Sequence, residues 1–148
     1  DVRSDHEVDY TTEECIKRGG GYWATASLVC RAQYALEYPV YRELTSTGDS
    51  ALIMHIALNG RVHYFPEIMA VHRTFHVGSW SANHLNNLDG FSEFQKEYVE
   101  LYQCMNNFTD GKYKEIFEKN ISTNLQYLSS NKNISIEQAI NIIRSLKK

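Results

Sequence analysis

Gly48-Asp49-Ser50-Ala51-Leu52-Ile53-Met54-His55-Ile56-Ala57-Leu58-Asn59-Gly60-Arg61-Val62-His63-Tyr64-Phe65 is the stretch on which the fold turns. Its first part predicts a helix over Asp49–Asn59. Asp49 is a good N-cap after Thr47-Gly48, Leu52, Ile53, Ile56 and Ala57 line one apolar face, and Gly60 suits the C′ stop. Its second part predicts a strand over Arg61–Phe65, followed after Pro66-Glu67 by another over Ile68–His72. A single helix flanked by short strands implies a mixed fold, not a bundle.

Upstream, Ala24–Arg31 predicts a short buried strand and 32–37 a short helix ended by Pro39. Gly19-Gly20-Gly21 predicts a bend, and the acidic opening 1–17 predicts a loop or frayed helix. Downstream, Arg73–Asn83 reads as a loop. Beyond it Leu85, Leu88, Phe91, Phe94, Tyr98, Leu101, Met105 and Phe108 recur every three or four residues, a long helix with a flaw expected at Gly90. Tyr113, Ile116, Phe117, Ile121, Leu125 and Leu128 continue the period, and Ser135 with Gln138 forms a capping box before a last helix. The expected fold class is therefore α+β, mainly helical with a short sheet.

Composition sets the outer bounds. The 148 residues carry 43% hydrophobic and 22% charged side chains, ordinary values for a folded chain of single-domain size. A net charge of −3 argues against a nucleic-acid partner, which would call for a basic face. Cys15, Cys30 and Cys104 are odd in number and far apart, which favours a reducing cytoplasm over a disulfide framework. No apolar run is long enough to span a bilayer. A first residue that is Asp, not Met, leads us to expect a piece of a longer protein.

Several side chains could carry chemistry. Asp49, at a helix N-terminus, sits where the dipole favours a negative charge, fit either to cap the helix or to serve as a base. His72 and His76 are four apart, with His55, His63 and His84 nearby, but no H-E-x-x-H pattern accompanies them. Arg73, Gly78, Ser79 and Trp80 place a cation, a flexible loop, a hydroxyl and an aromatic ring together, which suits either an anionic ligand or an ordinary surface loop. Asn107, Asn120 and Asn133 open glycosylation sequons, the chance yield of an Asn-rich stretch.

Taken in order, Gly48-Asp49, Leu52-x5-Leu58-Asn59-Gly60, Val62-His63-Tyr64-Phe65-Pro66-Glu67-Ile68-Met69-Ala70-Val71-His72-Arg73 and His76-x-Gly78-Ser79-Trp80-Ser81 resemble the C-terminal half of the family-2 glycosyltransferases, inverting enzymes of GT-A fold. The similarity covers about residues 22–82, with Ser27–Arg31 resembling the strand before the acceptor-side loop. His72 stands where Tyr is usual, and Gly48-Asp49 replaces the commoner Glu-Asp. The nucleotide-binding half, with its Asp-x-Asp, has no counterpart in the chain.

The resemblance implies an acceptor-side portion over 1–82 and a helical C-terminal extension over 83–148. It implies that Asp49 is the catalytic base and that His76 and Arg73 lie on the side of the donor diphosphate, His76 also beside its divalent metal, Mg or Mn in the intact enzyme. Tyr22, Trp23 and Trp80 become acceptor-binding candidates, with core packing as the alternative role. Implied partners are a nucleotide-diphosphate sugar and a glycan or lipid-linked acceptor, in a bacterial cytoplasmic enzyme of surface-polysaccharide synthesis. Peripheral association with the inner face of the membrane and homo-oligomer formation are also expected. The 148-residue piece alone is expected to be inactive. A helical interaction or oligomerisation module and a small histidine metalloprotein are the competing readings.

Overall fold

The computed structural model describes residues 4–19, 22–37, 40–46, 48–71, 78–79 and 88–130. The chain divides into two compact units, Asp1–Glu43 with Thr47–Arg73, and Leu44–Ser46 with Thr74–Lys148. The architecture is α+β, mainly helical with one two-stranded antiparallel sheet.

The first unit opens with strand β1 (Val8–Tyr10) and helix α1 (Thr12–Arg18), where the sequence predicted a loop or frayed helix and no strand. Thr11 and Glu14 make a reciprocal capping box that satisfies two backbone donors at the start of α1. Gly19 stops α1 with φ 68°, its N–H donating to the Cys15 carbonyl. Helix α2 (Ala32–Leu36) falls where expected.

Helix α3 (Gly48–Asn59) begins one residue before the predicted start, so Asp49 lies in the first turn instead of capping from outside. Ala51, Ile53, Met54, His55 and Ala57 are buried, whereas Leu52 and Ile56 are only half-buried, so the apolar face differs from the predicted one. The reason is that α1 and α2 both pack on α3, and a helix covered on several sides shows little amphipathic bias. The Asn59 amide donates to the His55 carbonyl and closes the helix end, while Gly60 follows without a left-handed backbone.

Strand β2 (Val62–Tyr64) forms as predicted but pairs with β1, setting Val8 opposite Tyr64, Asp9 opposite His63 and Tyr10 opposite Val62. The strand expected over Ile68–His72 does not form in its described part, where Ile68, Met69 and Val71 are exposed. Nor does Ala24–Arg31 form a buried strand. Thr25–Ser27 is a single 3₁₀ turn, and Val29 is 99% exposed. Ser and Thr side chains compete for local backbone partners, as Ser27 does by donating to the Ala24 carbonyl at 2.7 Å.

The unit's core gathers Tyr10, Cys15 and Ala57, with Val8, Tyr22, Trp23, Val62 and Tyr64 packed against them. A second short 3₁₀ segment, Val40–Leu44, delivers Tyr41 into the interior, where it is almost fully buried.

Among its described residues the second unit holds a helical hairpin of α4 (Leu88–Phe108) and α5 (Lys114–Ser130). Helix α4 runs through Gly90 without the predicted flaw. The turn between the helices needs left-handed backbone at Asp110 (φ 51°) and Gly111 (φ 73°), and the Gly111 N–H donates to the Asn106 carbonyl. Leu101, Met105, Phe117, Ile121 and Leu128 are fully buried between the helices, and the rings of Tyr102 and Phe117 lie 6.0 Å apart. Ser46 closes onto the hairpin through its N–H and hydroxyl, both donating to Glu97 Oε2 at 2.7 and 2.8 Å. Among the described residues no helix is long and apolar enough to cross a membrane. The predicted helix after Ser135 lies outside the described residues.

Candidate functional site

Asp49 sits in the first turn of α3, and its two carboxylate oxygens are held separately. The Ser50 N–H donates to Oδ1 at 2.8 Å, and the Thr25 hydroxyl donates to Oδ2 at 2.6 Å across 24 residues of sequence. A carboxylate offers about four lone-pair positions, so two fixed bonds leave each oxygen able to accept a further proton or hydroxyl. The side chain is half-buried. It is a carboxylate anchored in orientation and still open to a ligand.

Tyr22 and Trp23 immediately precede the turn that carries Thr25. The Trp23 ring meets Tyr10 and Tyr22 edge-on, each at 4.8 Å between centroids. The Arg18 guanidinium covers this group from outside, 4.5 Å from the Tyr22 ring and 5.0 Å from that of Tyr10. The Tyr10 and Tyr22 hydroxyls meet at 3.5 Å, and the Trp23 Nε1 is buried with no hydrogen-bond partner among the described residues. Both side chains therefore have a packing role in the unit's core.

His76, Arg73 and Trp80 lie outside the described residues, as does His72. Of the loop that carries them, Gly78 adopts φ 82°, a left-handed turn position, and is exposed.

The other described histidines take separate places. His55 is buried on α3 with its Nδ1 2.6 Å from the Tyr41 hydroxyl. His63 is exposed, its Nδ1 2.8 Å from Asp9 and its Nε2 3.4 Å from Glu7. The two carboxylates address opposite edges of the imidazole, an arrangement of ion pairing instead of chelation. Among the described residues no group of three His, Cys, Asp or Glu side chains could hold a metal ion. Cys15, Cys30 and Cys104 are free thiols. Burial pushes Cys15 up to about 11 and raises Cys104, which suppresses thiolate reactivity at both.

The histidines pull stability in opposite directions with pH. Burial lowers the pKa of His55 below the ordinary 6.5, so the unfolded chain takes up a proton there before the native one does. Stability is lost as pH falls below the ordinary value, at up to about 1.4 kcal/mol per pH unit. His63 is raised, first by its hydrogen bond to Asp9 and then by the charges of Asp9 and Glu7. Its contribution is present below the ordinary value and lost as pH rises through the raised one. Replacing His55→Gln, whose amide can still meet Tyr41, is expected to flatten the acid-side fall of Tm between about pH 7 and about pH 5. Melting curves of wild type and variant across that range check it.

Thr25 is the residue that sequence reasoning missed, because its contact with Asp49 is long-range and leaves no periodic trace. No family model, no curated protein and no solved structure matches this chain.

Proposed function

We propose that this chain is the acceptor-side part of an inverting nucleotide-sugar glycosyltransferase of GT-A type, with Asp49 as its base. The observation that carries the reading is a carboxylate at the opening of a 12-residue helix, held by Thr25 and Ser50 with lone pairs to spare. The ordered resemblance of the segments over 48–73 and 76–81 stands beside it. The exposed Ile68, Met69 and Val71 suit a reading in which further structure covers this segment.

In the reaction, Asp49 takes the proton of an acceptor hydroxyl as that oxygen attacks the anomeric carbon of the donor. The new C–O bond forms on the face opposite the diphosphate, whose bond to the same carbon breaks, and the nucleoside diphosphate leaves with the electron pair. Inversion follows from that single displacement. The bound divalent cation would neutralise the leaving diphosphate, a task the resemblance gives to the surroundings of His76 and Arg73. Trp80, Tyr22 and Trp23 remain the acceptor-side candidates. The acceptor is a glycan or a lipid-linked sugar, and the cytoplasmic placement at the inner membrane face belongs to the same reading.

The reading frame upstream of the Asp1 codon tests it. Continuation through alternating strands and helices with an acidic pair is expected. A start codon directly before Asp1 would overturn the placement as half of a transferase. A second reading, a helical interaction module that self-associates, is favoured by the separate core of the α4–α5 hairpin. In that case Asp49 only strengthens a helix terminus.

A further inference from the structure

Resting on the transferase reading of Asp49, we propose that Thr25 is the positioning residue of the base: its hydroxyl fixes the carboxylate so that a remaining lone pair faces the acceptor hydroxyl.

The bond is short, 2.6 Å, and joins segments that are remote in sequence. Thr25 is exposed, and the elements at both ends of the contact are held by neighbouring bonds. On one side, Ser50 N–H holds Oδ1 at 2.8 Å, so Asp49 is gripped at two points, which removes the freedom of its terminal torsion. On the other, Thr25 opens a 3₁₀ turn closed by Ser27 N–H to the Ala24 carbonyl at 2.9 Å and Leu28 N–H to the Thr25 carbonyl at 3.1 Å. Threonine is branched at Cβ and stiff at χ1, so the hydroxyl direction follows from the turn. The turn is anchored in its turn by Tyr22 and Trp23, packed on Tyr10. The core of the unit thus reaches the carboxylate through six residues, 22–27.

General-base catalysis is sensitive to such placement. A displacement of about 1 Å can cost about a hundredfold in rate. Without the Thr25 hydroxyl, Oδ1 stays tethered to the helix while Oδ2 is released to swing. Substrate contacts are untouched, because Thr25 acts through Asp49 and not on the sugar.

The test uses the intact protein and measures release of UDP, GDP or dTDP from the corresponding nucleotide hexoses, with water as the acceptor. Thr25→Val keeps the shape and branching but deletes the hydroxyl. The expected result is a fall in kcat of about tenfold or more with KM for the donor unchanged, and recovery to within about threefold by Thr25→Ser. Wild-type kcat in Thr25→Val, with turnover lost in Asp49→Asn, would overturn the role of Thr25 and leave the base standing. An equal fall in Thr25→Val and Thr25→Ser, tracking a lowered Tm, would make Thr25 a structural residue and overturn the role too. Unchanged turnover in Asp49→Asn would remove the base itself, and the transferase reading with it.

Discussion

Asp49→Asn in the intact protein is expected to lower turnover by about 10²–10⁴-fold while shifting stability by less than about 1 kcal/mol. The separation of the two effects follows from the geometry. The amide oxygen can still accept from the Ser50 N–H, which lies 2.8 Å from Oδ1. The amide nitrogen can donate to the Thr25 hydroxyl, which is both donor and acceptor and needs only to rotate. Both anchors of the turn on α3 therefore survive, and what is lost is the ability to take a proton. The module reading predicts the reverse pattern, in which a small stability change is the whole phenotype. Initial rates of nucleoside-diphosphate release, measured beside melting curves, separate the two.

Phe117→Ala is expected to cost about 3–5 kcal/mol, the largest stability effect in the second unit. Phe117 is fully buried in α5, its ring 6.0 Å from that of Tyr102 on α4. Ile121, Leu125 and Leu128 continue the buried face towards the helix end, so truncation leaves a cavity at the end of the seam nearest the turn. For a unit of this size the melting temperature should fall by more than about 10 °C. Loss of the helical signal at lower denaturant concentration than in wild type checks it. An unchanged transition would mean that the seam is not where the hairpin derives its stability.

Helices α4 and α5 were legible because their apolar residues recur at helical spacing. Leu101, Met105, Phe117, Ile121 and Leu128 are buried as that spacing predicts. Helix α1 carried a readable signal, Thr11-x-x-Glu14 with Lys17, Arg18 and Gly19 behind it, hidden by the acidity of the opening segment. The stretches over 24–31 and 68–71 failed for another reason. Their apolar and β-branched residues suit a strand, but a strand also needs an edge to pair with, and β2 takes β1 from 54 residues upstream. Local composition cannot report such a pairing.

Of the candidate site, Asp49, Tyr22 and Trp23 fall within the described residues. Asp49 stood out as a carboxylate opening a helix, whereas its Thr25 partner arises from how the 3₁₀ turn lies on α3. Tyr22 and Trp23 illustrate the ambiguity of aromatic residues, equally suited to a sugar and to a core. In the described structure they pack on Tyr10.

The most direct measurement of the central claim is the anomeric configuration of the product formed by the intact protein from an α-linked nucleoside-diphosphate hexose, read by proton NMR. Transfer with inversion is expected, a β-configured product released together with the nucleoside diphosphate. A retained α configuration, or no turnover with any such donor, would contradict it.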